Sequence, residues 1–286
     1  MARSNTLMAT TEASLKLLSP AKLNLFLHIT GQRDNGYHEL QTAFQLLNWG
    51  DWLHFTANNT GEITLSGSQV GIPDEQNLIV KAARTLQTGS AGADIQLEKH
   101  IPTGGGLGGG SSNAATTLLA LNHLWRTEKS NAELQAIGAK LGADVPVFVG
   151  GRTAWAEGIG EILTPIDLPA RWFLIVLPPC HVATDQIFSH RQLTRNSKPI
   201  KMAAFFAGDS RNDCQSLVRR IYPEIDKALK NLDNFGEARL TGTGACVFVS
   251  FETKGQAEAA QSELSAQWTS IVAQGINEAP GIKTLL

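Results

Sequence analysis

From Pro20 to Thr30 apolar and polar positions alternate. Ala21, Leu23, Leu25, Leu27 and Ile29 fall on one face; Lys22, Asn24, Phe26 and His28 fall on the other. A period of two belongs to an extended chain, whose successive side chains point to opposite sides. The spacing predicts a strand whose second face carries an ammonium, an amide and an imidazole. Asp34-Asn35-Gly36 supplies a tight turn. Further strands are predicted over Leu40–Leu47, Asp51–Phe55 and Glu62–Leu65, a helix over Asn77–Leu86, and another alternating strand over Asp94–Ile101.

The segment from Pro102 to Ala115 is dominated by glycine, and a helix is predicted from Ser111 through Trp125, with Leu118, Leu121, Leu124 and Trp125 as a stripe. A second helix is predicted over Ala132–Leu141. Gly142 to Phe148 reads as a passage into a strand, and Gly151 to Gly160 as a hairpin. After Pro165 the pattern gives a buried strand at Trp172–Leu177, stopped by Pro178-Pro179, then a mixed region from 183 to 215 with a loop at Arg195–Pro199. A helix at Glu224–Asn231, a glycine turn leading to a strand ending at Phe251, a helix at Lys254–Gln267 and a strand at Ser270–Gln274 follow. Strands and helices mix without strict alternation, so an α+β fold in two lobes is expected. Its parts are a flexible leader over residues 1–14, an N-terminal lobe over 15–164 and a C-terminal lobe over 165–286.

Composition narrows the function classes. With 286 residues, 42% hydrophobic and 17% charged, the chain has enough apolar material for a large core. A formal net charge of -2 and the lack of long basic runs argue against nucleic acid as partner. Cys180, Cys214 and Cys246 show no CxxC spacing, which fits a reducing compartment better than a zinc site or disulfide framework. No apolar stretch approaches 18 residues. A cytoplasmic protein without membrane attachment, a monomer or weak homodimer, is expected.

Six of the seven residues from Gly104 to Gly110 are glycine. Lacking Cβ atoms, such a loop lets backbone N–H groups approach phosphates, and the positive end of the following helix adds to the cradle. Ser111 and Ser112 are placed to cap that helix or to offer a hydroxyl to a phosphate or Mg²⁺. A flexible linker is the plain alternative, but linkers rarely sit between an alternating strand and a periodic helix. No Lys precedes the serines, so the loop is not a Walker A motif. Gly104-x-Gly106-x-x-Gly109 fits the dinucleotide pattern, yet helix occupies the position where that fold needs a strand ending in an acid.

Three segments taken together, Pro20-Ala21-Lys22-Leu23-Asn24-Leu25, Pro102 to Ala115, and Leu240-Thr241-Gly242-Thr243-Gly244-Ala245, resemble the motifs of the GHMP small-molecule kinases. The resemblance runs from about Leu17 to the C-terminus. It implies a ribosomal-S5-like N-terminal lobe, a ferredoxin-like C-terminal lobe, and a site in the cleft between them that uses ATP and Mg²⁺. A narrower likeness lies in Asn35-Gly36-Tyr37-His38 and Gly142-Ala143-Asp144-Val145-Pro146-Val147-Phe148. It implies an acceptor alcohol on a methylerythritol linked to cytidine diphosphate. Two positions depart from the pattern: Asn113, where Asp is frequent, and Gln215, where an acidic residue is common after Asn212-Asp213.

The resemblance assigns catalysis to Lys22 and Asp144, against the plain readings of a solvated strand lysine and a turn-capping aspartate. A carboxylate near an alcohol can take its proton, and an ammonium beside it favours the charged form. The ATP site implied is Pro102, Thr103, Gly104, Gly105, Gly106, Leu107, Gly108, Gly109, Gly110, Ser111 and Ser112. Substrate contacts implied are Asn24, Tyr37, His38, Thr184, Phe188, Gly242, Thr243 and Gly244, with Tyr37 and Phe188 as rings around the base. A tight turn before a strand is the competing reading of Gly242–Gly244. The metal's own ligands are not legible, and His28, His54 and His123 lack metal-ligand spacing. The rivals considered are another kinase of the family acting on a sugar, mevalonate or homoserine, and a nucleotide-binding module without activity.

Overall fold

Two long strands pair antiparallel along nearly their whole lengths: β1 (Ser14–Gln32) and β2 (His38–Asn58). The computed structural model describes residues 14–67, 73, 75–208, 211–282 and 285. The expected leader therefore lies outside the described residues except for Ser14, which opens β1. The two strands predicted at Leu40–Leu47 and Asp51–Phe55 are one strand, because Asn48 to Gly50 stay extended. The β1–β2 register shifts between Pro20 and Lys22 and again between Asn24 and Leu27. Each shift bends the strand and re-aims side chains. The single reactive face expected from alternation is thereby split. Lys22 and Asn24 turn into the cleft, whereas Phe26 packs with its ring centroid 5.1 Å from Trp155 and 5.3 Å from Phe205.

Along the chain follow β3 (Ile63–Gly67), α1 (Leu78–Leu86), β4 (Gly92–Glu98) and α2 (Gly109–Leu124). Next come α3 (Asn131–Leu141), α4 (Val145–Gly150), β5 (Ala154–Glu157) and β6 (Ile162–Pro165). Asn77 caps α1 by accepting from the Ile79 N–H at 2.9 Å, and Ser130 with Glu133 forms a reciprocal capping box on α3. α2 is not a striped surface helix. Its residues from Ser112 to Asn122 are all buried, and it runs through the middle of the first lobe. The strand expected after Gly142 is instead the short helix α4. Its β-branched residues suit a strand, but Pro146 sits in the first turn, where its missing N–H costs nothing.

The second lobe is built from β7 (Trp172–Leu177), α5 (Thr184–Ser189), α6 (Met202–Phe206), α7 (Gln215–Ile221) and α8 (Pro223–Leu232). It is completed by β8 (Arg239–Leu240), β9 (Val247–Phe251), α9 (Lys254–Leu264) and β10 (Thr269–Ile276). Its strands lie in the order β10-β7-β9-β8, all antiparallel, with helices between β7 and β8 and between β9 and β10. That is the ferredoxin-like β-α-β-β-α-β arrangement. β10 also reaches β2 through Gly275 and Ile276, so the sheets of both lobes join.

Each lobe has its own core, and each core borrows from the other half of the chain. Phe55, Leu97, Leu118 and Leu119 share theirs with Ala279 and Leu285 from the C-terminus. Leu27 and Ile29 of β1 pack with Leu174, Val176 and Leu229 of the second lobe. Burying a side chain such as Leu119 stabilises by about 1.5 to 3 kcal/mol, so these borrowed contacts fix the lobes against one another along β1. The cleft opens beside that seam.

Candidate active site

Lys22 is the residue around which the cleft is organised. It is 3% exposed, and its ammonium makes two hydrogen bonds and one ion pair. Nζ donates to Asn24 Oδ1 at 2.6 Å and to the Gly106 carbonyl at 2.9 Å, and pairs with Asp144 Oδ2 at 3.3 Å. Asn24 is braced in turn, donating from Nδ2 to Thr42 Oγ1 at 3.0 Å and from its backbone N–H to Thr241 Oγ1 at 3.0 Å. A buried ammonium demands such partners, because removing it from water unpaired is costly. The reading of Lys22 as a solvated strand lysine is therefore excluded.

Asp144 precedes α4 and makes no side-chain capping bond, so the turn-capping alternative also fails. Its side chain is 33% exposed and faces the cleft beside Lys22. One carboxylate oxygen is held by the ammonium while the group as a whole stays accessible. That is the arrangement expected of a base at an alcohol.

The glycine loop stands between two cavities. The larger, about 700 Å³, is lined by Lys22, Asn24, Asp144, Tyr37, His38 and Phe188 among others. The smaller, about 320 Å³, is lined by Gln76 to Ile79, Lys99, every residue from Pro102 to Ser111, and Asn113. Gly106, Gly108 and Ser111 border both. Gly106 and Gly108 have φ of 75° and 73°, in the left-handed region. A Cβ on Gly108 would lie 2.8 Å from Phe148 Cζ and 3.2 Å from Lys22 Cε, and one on Gly106 would strike the Thr241 carbonyl. α2 begins from Gly108 with no side-chain cap, which leaves its first N–H groups available to an anion.

Not every expected ATP contact faces the smaller cavity. Ser112 is fully buried and accepts from Ser19 Oγ at 2.8 Å, so it neither caps α2 nor lines either cavity. Ser111 does not cap the helix either, although it borders both cavities.

At the far end of the larger cavity the rings are His38 and Phe188, with centroids 5.0 Å apart and planes 31° apart. Tyr37 lies on the rim and is 59% exposed, so the contact already formed with Phe188 is made by His38. Thr184 and Thr243 join hydroxyls across the cleft wall at 3.0 Å. Gly242 and Thr243 line the cavity. Gly244 does not: its N–H closes a turn on the Thr241 carbonyl at 2.9 Å, while the Ala245 and Cys246 N–H groups bond the Gly104 and Gly105 carbonyls. The third motif thus buttresses the glycine loop as well as walling the cleft.

Several participants escape sequence reading. Asp51, fully buried, accepts from Lys99 Nζ at 2.8 Å, from Asn113 Nδ2 at 2.9 Å, and from the His100 and Ile101 N–H groups at 2.7 Å. An Asp at 113 would set two carboxylates together there; Asn113 donates instead. Asn212 Nδ2 donates to the Leu240 and Gly242 carbonyls at 2.8 Å each, and Gln215 Oε1 accepts from the Leu240 N–H at 2.7 Å. A carboxylate oxygen would accept the same N–H, so Gln215 keeps the acceptor that an acidic residue would supply. Arg195, from the segment read as a loop, donates to His38 Nε2 at 3.0 Å. Among the described residues, no group of three or more His, Cys, Asp or Glu side chains is placed to hold a metal, and no helix is long and apolar enough to cross a membrane.

Residues 77–152 match the model of the GHMP kinases N terminal domain, and residues 194–270 match that of the GHMP kinases C terminal domain. The chain belongs to the GHMP kinases. Proteins named 4-diphosphocytidyl-2-C-methyl-D-erythritol kinase are similar to it over most of their lengths. That of Burkholderia multivorans is 52% identical over 283 residues, covering 94% of this chain and 97% of the relative. That of Alkalilimnicola ehrlichii is 56% identical over 261 residues, covering 90% of each. A crystal structure of 4-(cytidine 5'-diphospho)-2C-methyl-D-erythritol kinase superposes with a TM-score of 0.78 at 32% identity, covering 92% of this chain and all of that one. The Methanococcus jannaschii mevalonate kinase matches at a TM-score of 0.68 and 15% identity, a likeness of fold alone. The two lobes are those of a GHMP kinase, with a ribosomal-S5-like first half and the ferredoxin-like second half described above.

Proposed function

We propose that this GHMP kinase transfers the γ-phosphoryl group of ATP to the 2-hydroxyl of 4-(cytidine 5'-diphospho)-2-C-methyl-D-erythritol, giving the 2-phosphate and ADP. It acts in non-mevalonate isoprenoid precursor synthesis. The observation that carries this reading is the Lys22–Asp144 pair, 3.3 Å apart, in the larger cavity, with Lys22 bonded to Gly106 of the loop that borders both cavities. The triphosphate takes the smaller cavity, against the N–H groups of residues 104–111 and the start of α2. The acceptor takes the larger cavity, with its base at His38 and Phe188. Tyr37 covers the base from the rim, and Asn24, Thr184, Gly242 and Thr243 touch the remainder of the substrate.

Phosphoryl transfer asks the protein mainly to position groups and to oppose charge. Asp144 accepts the proton as the 2-hydroxyl oxygen forms its bond to γ-phosphorus, and the bond from that phosphorus to the ADP oxygen breaks. Lys22 stays charged throughout, holding Asp144 in place and stabilising the developing alkoxide. Gly106 directs Lys22 through its carbonyl, so the loop that cradles the nucleotide also aims the cation. The donor near the transferred group that the mechanism leaves free, the Ser111 hydroxyl, is an oxygen, which suits Mg²⁺ bound largely through the phosphates. Bound there, Mg²⁺ would neutralise phosphate charge. We place the protein in the cytoplasm, where both nucleotides are supplied.

The test is ADP release by the purified protein with Mg²⁺, ATP and either the cytidyl substrate or mevalonate. Turnover is expected only with the former. Turnover with mevalonate and none with the cytidyl compound would refute the assignment.

A further inference from the structure

The imidazole of His38 is set into the cleft wall with 9% of the residue exposed. Its Nε2 receives the Arg195 Nε–H at 3.0 Å. A guanidinium has five N–H donors and no acceptor, so Nε2 must present its lone pair. The proton of the neutral ring then resides on Nδ1, which has no hydrogen-bond partner among the described residues. Arg195 is fixed at its other end. Nη2 donates to the Phe188 carbonyl at 2.6 Å and the His190 carbonyl at 2.9 Å, and Nη1 to the Leu193 carbonyl at 3.3 Å. One guanidinium therefore holds both the His38 ring and the backbone that carries Phe188.

We infer that Arg195 is a positioning residue for base recognition: it locks His38 as the Nδ1–H tautomer, so that the cleft offers an N–H donor to the acceptor edge of a pyrimidine. Cytosine carries two adjacent acceptors, O2 and N3, on the edge such a donor meets. Without Arg195 the ring is free to place its proton on either nitrogen, and half of that choice turns a donor into an acceptor facing an acceptor. Burial, and then the charge of Arg195, hold the imidazole below its ordinary pKa, which keeps the doubly protonated form away. The inference rests on the cytidyl reading of the larger cavity.

Nitrogen-15 NMR of ligand-free protein labelled at histidine reads the tautomer directly. Wild type is expected to show a protonated Nδ1 and an unprotonated Nε2 at His38, and Arg195→Leu a mixture. With cytidine diphosphate as probe, Arg195→Leu should weaken binding about tenfold, and with the full substrate the loss should fall on KM, kcat changing less than about threefold. Arg195 also braces the Phe188 backbone, so a second background separates the roles. In His38→Asn, whose side-chain N–H needs no tautomer, Arg195→Leu should alter cytidine diphosphate affinity by less than about threefold. An equal loss in that background, or an Nε2–H ring in wild type that binds the probe, would overturn the role of Arg195 alone. Failure of wild type to bind cytidine diphosphate would overturn base recognition together with the cytidyl reading.

Discussion

Asp144→Asn separates a structural ion pair from a catalytic base. At an N···O distance of 3.3 Å, the Coulomb attraction between unit charges is about 5 kcal/mol at an effective dielectric of about 20. That is an upper bound. Asp144 is one-third exposed, and after its charge is removed Lys22 still donates to Asn24 Oδ1 and the Gly106 carbonyl. The stability loss should therefore be about 1 to 3 kcal/mol, between the values for exposed pairs and for broken buried pairs. The amide cannot take the acceptor's proton, and turnover should fall at least about a hundredfold, equivalent to roughly 2.7 kcal/mol of barrier. ATP affinity should be nearly unchanged, because residues 102–111 are untouched. Urea denaturation gives the first quantity, ADP release the second and nucleotide titration the third. A variant that loses stability yet turns over within about threefold of wild type would reduce Asp144 to a partner of Lys22.

Phe188→Leu removes one face of the aromatic end, and base–aromatic stacking is worth about 1 to 3 kcal/mol. KM for the cytidyl substrate should rise about tenfold or more at constant KM for ATP, and steady-state kinetics giving an unchanged KM would move the base elsewhere. Gly108→Ala imposes a left-handed backbone worth about 1 to 2 kcal/mol and crowds Phe148 and Lys22. A lower melting temperature and reduced kcat/KM should follow, and full retention of both would contradict the close approach. His38 has its pKa lowered from 6.5, by burial first and Arg195 second. As pH falls below that value the unfolded chain takes up the proton before the folded one, so stability is lost on acidification and not on alkalinisation. Denaturation midpoints from pH 7.5 to 5 should show a slope that His38→Asn reduces. Burial pushes the Cys214 and Cys246 thiols up to about 12, and Cys180 is raised as well. Native protein at pH 8 should resist alkylation, with any early adduct found at Cys180 by mass spectrometry.

The sequence is transparent where a local pattern decides the structure. β7 occupies Trp172–Leu177 as expected, since a short apolar run ending at Pro178 leaves few alternatives. α1 starts where Asn77 caps it. The pairing of Lys22 with Asp144, 122 positions apart, rests on whole motifs and not on spacing, and the cleft brings the two together. The pattern fails where tertiary contacts override it. Regular alternation cannot reveal the register shifts that part Phe26 from Lys22. α4 carries strand-forming residues, yet packs as a helix beside Asp144. Arg195 sits in an unpatterned stretch, and its target His38 lies 157 positions away. Nor does any local signal show that Ala279 and Leu285 return to the first lobe's core.

A crystal structure with a non-hydrolysable ATP analogue and the cytidyl substrate bound together tests the phosphoryl path most directly. The γ-phosphate is expected against Ser111 and the start of α2, the base against His38 and Phe188, and the 2-hydroxyl within hydrogen-bonding reach of Asp144. A 2-hydroxyl turned away from Asp144, or a triphosphate outside the cradle formed by residues 102–111, would contradict it.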